Sequence, residues 1–238
     1  MVPENACGRS PACLRHMVLT LLLLLPVACE RLSPPEWKEV WIGPPTGDNT
    51  RISTTAINSE GMSLKVLIAI AHDIQTTRII GPPLLDSERY AVVATPDTEE
   101  PPRFRALLQK LLAGRFNLAV HRETRELPVY VVKPAPGAQA KLPVVTEPPN
   151  MNSSKGDLSG RGPLSTLIRS VEGRLGRPVV DESGLTKSYK YELSWKAGDR
   201  ETLLKSLETR LGLLFEPAQR KVEVLVVDRV EKLRNASD

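Results

Sequence analysis

His121, Arg122 and Glu123 stand together, with Arg125 two residues further on, in the run HRETRE. An imidazole and a carboxylate two positions apart share one face of an extended chain. Such a pair can pass a proton or hold a cation. A zinc centre, however, normally takes three or four ligands, often including cysteine. This chain has 3 His and 3 Cys in all, and the spacing assembles no such set, so no metal is expected. The plain alternative is a charged turn that keeps a hairpin soluble. Between the two lies recognition: His121, Arg122, Glu123 and Arg125, displayed on a rigid hairpin, form a partner-binding surface.

Other chemistry-bearing residues are sparse. His72-Asp73 lies on the polar stripe of a helix, opposite Leu64, Leu67 and Ile68, which makes His72 a solvated histidine. Ser87, Ser165 and Ser183 have no histidine at a motif distance, and no G-x-S-x-G occurs. There is no glycine-rich phosphate loop. The SGRG run at 159–162 reads as a flexible joint rather than an anion site. No catalytic residue and no cofactor is expected.

Composition bounds the rest. With 238 residues and 41% apolar residues, the chain can fill one or two ordinary cores. A net charge of +4 is mild for this length and lacks the concentrated basic stripe of a nucleic-acid binder. The expectation is no nucleic acid.

The first 28 residues read as a leader. Arg9, Arg15 and His16 precede the apolar run MVLTLLLLL (17–25), and Pro-Val-Ala-Cys follows at 26–29. A charged start, a short apolar segment and small residues before a cut site make a secretory signal peptide. The run is far short of the roughly 20 residues of a spanning helix. Ala28-Cys29 resembles a bacterial lipobox, although Pro26 stands where that pattern wants leucine. Acylation of Cys29 and ordinary cleavage nearby both remain open. The expected location is therefore the periplasm, or an inner or outer membrane reached through a lipid anchor.

The elements that must position these residues fall into two similar series. Leu64, Leu67, Ile68 and Ala71 recur as Leu164, Leu167, Ile168 and Val171, each an amphipathic helix face. Ile79-Ile80 recurs as Val179-Val180, and the strand at Tyr90 as the strand at Tyr189. A second helix spans 103–113, stopped by Gly114; its counterpart spans 200–211, started by Asp199 and stopped by Gly212. Each series then closes with a hairpin: FNLAV, turn HRETRE, LPVYVV in the first; LGLLF, turn EPAQRK, VEVLVV in the second. The closing strands align at a shift close to, but not equal to, that of the earlier elements. The fold class is α+β, with two similar lobes from an internal duplication, each running strand, helix, strand, strand, helix, hairpin. The expected organisation is a signal peptide at 1–28, a Pro-rich segment at 29–49 with one edge strand, a first lobe at 50–133, a linker at 134–162, a second lobe at 163–232 and a tail at 233–238.

The runs LIRSVEGRLGRPVVDESGLTKSYKYELSW, LLKSLETRLGLLFE and VEVLVVDRVEK resemble a large uncharacterised family abundant in soil acidobacteria. The first half resembles it through SLKVLIAIAHDI, GPPLLDSERYAVVA and LLQKLLAGRFNLAVHRETRELPVYVV. The family's opening strand usually runs Phe-Glu-Val-x-Ser-Ile-Lys-Pro; here Trp37 to Pro44 lacks that lysine. Each half is also similar to the short N-terminal domain of secretins and TonB-dependent receptors, the second through Leu175-Gly176 and Leu211-Gly212-Leu213, while the first has Gly114-Arg115-Phe116 at the corresponding place. That resemblance implies an envelope location and protein partners. The expected function is an exported, non-catalytic binding or adaptor module that recognises an envelope protein or peptide. The alternative is a hydrolase using His121 and Glu123, or a cleft between the lobes.

Overall fold

The computed structural model describes residues 37–135 and 141–233. The leader, Cys29 and the start of the Pro-rich segment lie outside the described residues. The described chain is mixed α+β, with five α-helices among three sheets.

Strand β1 (Trp37–Gly43) opens the described chain, followed by β2 (Thr50–Ile52) and β3 (Ile57–Ser63). Helix α1 (Leu64–His72) starts where the Ser63 side chain accepts from the Val66 N–H, and stops where Asp73 turns left-handed at φ 49°. A 3-10 turn leads into β4 (Ile79–Ile80), then α2 (Leu84–Ser87), β5 (Arg89–Pro96) and α3 (Pro101–Phe116). Gly114 does not stop α3 as expected. It lies inside the helix, and Asn117 takes the left-handed cap at φ 48°.

Strand β6 (Ala119–Pro134) is followed by β7 (Asn150–Ser153), β8 (Asp157–Pro163) and α4 (Leu164–Leu175). The chain ends with β9 (Val179–Asp181), β10 (Ser188–Ser194), α5 (Arg200–Leu211) and β11 (Leu213–Arg229). Asp199 caps α5 by accepting from the Glu201 and Thr202 N–H groups. The sheets run β1-β5-β3-β2, β10-β8-β7 and β4-β11-β6-β9.

The expected hairpins do not form. HRETRE lies inside β6 and EPAQRK inside β11, unbroken strands of 16 and 17 residues. The two pair antiparallel along their length, from Leu213 with Pro134 to Val227 with Val120. Prolines and charges suggested turns, yet both are compatible with this ribbon. The Tyr130 N–H donates outward to Pro178 O at 2.9 Å, so Tyr130 and its partner Pro217 form a pair whose N–H positions point away from each other. Pro128, paired with Gln219, falls in the same class. Neither proline removes a bond from the ribbon's ladder. The charged residues of HRETRE stand opposite β11, whose Val222 and Val224 are buried with Val129 and Val131 in a third, smaller cluster on the ribbon.

The ribbon makes each core depend on both chain halves. The first core gathers Leu64, Leu67 and Ile68 of α1 with Phe104, Leu108 and Leu112 of α3, and adds Leu225 and Val227 of β11. The second gathers α4 and α5 with Leu213 and Phe215, and adds Tyr130 and Val132 of β6. β4 pairs parallel with β11 at Leu225 and Val226; β9 pairs parallel with β6 at Tyr130 to Val132.

The segment expected to be a linker carries β7 and most of β8. Leu142 is buried in the second core, and Lys141 donates to Leu211 O at 2.9 Å. Gly156 and Gly160 mark close backbone approach rather than slack. A Cβ on Gly160 would stand 2.5 Å from Asn150 O.

Candidate functional site

The C-terminal end of α1 and the flank of α4 bound an open groove, continuous across two cavities of about 330 and 370 Å³ that share Asp73, Ile74, Gln75 and Arg169. Val66, Ile70 and Phe104 supply apolar floor at one end, Ile168 and Val179 at the other. Charged side chains stand over this floor.

The left-handed cap of α1 turns Asp73 into the groove. There Arg169 donates both terminal nitrogens to one of its oxygens, at 3.0 and 3.1 Å, and Arg105 stands 3.9 Å away. These side chains are half or more exposed, apart from a more sheltered Arg105, so the pairs contribute little to stability and their charges remain available to a partner.

Deeper in, the Glu172 carboxylate is only 1% exposed. Arg78 donates to it through Nε and Nη2, each at 3.2 Å, and the Thr77 hydroxyl donates to it as well. The Val179 N–H donates to Glu172 at 3.1 Å, and Arg78 donates to Val179 O at 2.8 Å. Glu172 and Arg78 thereby satisfy the outward N–H and C=O of Val179, on the side of β9 away from β6. An open strand edge becomes a closed groove wall.

The four residues expected to recognise a partner divide between two places. His121, Glu123 and Arg125 share one face of β6, as alternation requires. His121 Nδ1 lies 2.9 Å from Asp228, and its Nε2 lies 3.6 Å from Glu123, which Arg125 also pairs with. The hydrogen bond to Asp228 raises the His121 pKa above its ordinary value, with Glu123 adding to the effect. Arg122 points the other way. It pairs with Glu223, donates to His72 O at 2.8 Å and lines the groove.

The expectation of a solvated His72 is corrected. Its side chain is half-buried, and that desolvation, together with the neighbouring Arg122 charge, lowers its pKa. Among the described residues, no three His, Cys, Asp or Glu side chains gather in a way that could hold a metal ion. The arrangement can bind and orient; an imidazole between two carboxylates on an exposed strand can exchange a proton with solvent.

Sequence reasoning missed Glu172, Arg78 and the pairing of Asp73 with Arg169. Glu172 carried a readable signal, because it falls within the apolar stripe Leu164, Leu167, Ile168, Val171, Leu175. A carboxylate there must find partners when the helix packs. Nothing local marked Arg78 or Arg169, whose partners lie 94 and 96 residues away.

A family model described as a protein of unknown function, DUF3738, matches residues 65–230. No curated protein matches the chain. No solved structure matches it.

Proposed function

We propose the following reading for a chain that belongs to the DUF3738 family of proteins of unknown function: it is a non-catalytic binding or adaptor module of the bacterial envelope that takes an extended peptide segment of a partner protein into the groove beside α1 and α4. The supporting observation is the groove itself, an apolar floor under exposed Arg169, Arg122 and Asp73 with the more sheltered Arg105 beside them. Apolar area supplies affinity, and the charges above it select register and partner. The opposite ribbon face, with His121, Glu123 and Arg125, supplies a second contact surface.

The exported location rests on the charged start and apolar run of the first 28 residues, and the lipid anchor on Ala28-Cys29. An internal duplication accounts for the arrangement of elements. β3 leads into α1, then β4 and β5; β8 leads into α4, then β9 and β10. The β4–β11 contact at Leu225 has its counterpart in the β9–β6 contact at Tyr130. In this reading each copy donates its last strand to a ribbon shared by both. The different shift of the closing strands follows from that exchange.

The test is selection of peptides from a displayed random library on the purified protein. Each selected peptide is then titrated against the wild type, Arg169→Glu and Ile74→Lys. Peptides carrying apolar and acidic residues are expected, and each charge change should weaken them about tenfold, near 1.4 kcal/mol. Selection of no peptide, or equal binding by all three proteins, contradicts the reading.

A further inference from the structure

The β1-β5-β3-β2 sheet turns one face to the first core and the other to solvent. Ile42, Val92, Ala94 and Ile57 are buried in that core. The alternate positions form a row across the opposite face: Trp41 pairs with Val93, Val93 with Asn58, and Asn58 with Arg51.

Trp41 is 46% exposed, and Gly43 explains how it is held. A Cβ at Gly43 would stand 2.3 Å from ring carbon Cζ2 and 2.7 Å from Cη2. The indole therefore lies along the strand with glycine as its floor, leaving its other side open. The nearby Trp37 differs, meeting Phe104 edge-on at 6.3 Å against the core.

Two strands away, about 10 Å by ordinary strand spacing, stands Asn58, with Arg51 one strand further. Both are exposed, and neither side chain is bonded within the described residues. With Asn49, Thr50 and Glu60 they line a polar cavity of about 320 Å³. An open aromatic plane on the same face as solvent-facing amide and guanidinium donors suits a ligand that is apolar on its flat side and hydroxylated at its rim. A purely apolar ligand would bury those donors without partners.

We propose that this sheet face is a saccharide-binding site, in which a pyranose ring stacks on Trp41 and its chain extends to Asn58 and Arg51, which bond hydroxyl or acetamido groups. The site is separate from the groove beside α1 and does not depend on the peptide reading.

Calorimetric titration of the purified full chain with tetra-N-acetylchitotetraose and with cellotetraose tests it. Saturable binding of at least one is expected. Trp41→Ala should weaken it about tenfold or more, as loss of a single aromatic anchor does. Asn58→Ala should weaken it several-fold, by roughly the loss of one hydrogen bond. Trp41→Phe should fall between Trp41→Ala and the wild type. Asn58 is exposed, so its variant reports on the ligand even if the Trp41 variants fold poorly. Binding of neither saccharide, binding unchanged in Trp41→Ala and Asn58→Ala, or displacement of the sugar by a proline-rich peptide that binds more tightly would overturn the proposal.

Discussion

His121 and His72 lie on different elements, β6 and α1, and their surroundings push them in opposite directions. Asp228 and Glu123 favour the charged form of His121. Its contribution to stability is fully present below the ordinary imidazole value of about 6.5 and is lost as pH rises through the higher folded value. Burial and Arg122 favour the neutral form of His72. Its contribution is present above about 6.5 and is lost as pH falls through the lower folded value. An NMR titration of the imidazoles, assigned with His121→Gln, should place the two midpoints on opposite sides of that value. Asp228→Asn should bring His121 back toward it. Coincident midpoints would contradict the described contacts. Sequence alone placed His121 and Glu123 on one face, because alternation along a strand is local information. It left out Asp228, which reaches His121 only through the pairing of distant strands.

At the scale of elements, the decisive join is α4 to β9 and the turn before β4. Glu172 accepts from Thr77, Arg78 and Val179, so one carboxylate ties three segments. Glu172→Ala leaves Arg78 partly buried without its partner, and is expected to cost about 3–5 kcal/mol in urea denaturation. Exchanging the pair for apolar residues, Arg78→Met with Glu172→Leu, should recover part of the loss, since it leaves no buried charge alone. Equal stability of Glu172→Ala and the wild type would show that the pair is not formed. Among the described helices, α1, α3, α4 and α5 were legible from their apolar spacing, whereas the single turn α2 was not; Asp199 and Gly212 bracket α5 as their residue types dictate. Strands β7 and β8 were hidden because their exposed, glycine-bearing residues imitate a linker, with Leu158 of β8 buried in the second core.

At the scale of the molecule, the ribbon decides everything else. Strand β6 runs through both halves, as does β11, so neither core is complete without a strand that begins beside the other. The groove beside α1 has walls from both halves, and holds its shape only while the ribbon holds. Sequence reading split the ribbon into two hairpins because HRETRE and EPAQRK lack any apolar alternation. The apolar residues of that stretch lie across the ladder instead: Val224 and Val222 of β11, buried, stand opposite Glu123 and Arg125. Glu126 and Lys221 test this directly, since they are paired across the ribbon's exposed middle. They belong to the same pair class as Tyr130 and Pro217, with Cα atoms about 4.5 Å apart, within reach of a disulfide. If the halves instead closed as separate hairpins, the two residues would sit in different turns. The double variant Glu126→Cys with Lys221→Cys, oxidised mildly and mapped by non-reducing proteolysis, should form this cross-link in nearly every folded molecule while keeping its melting temperature or raising it. Failure to cross-link in the folded protein, or cross-linking only after partial unfolding, would contradict the shared ribbon.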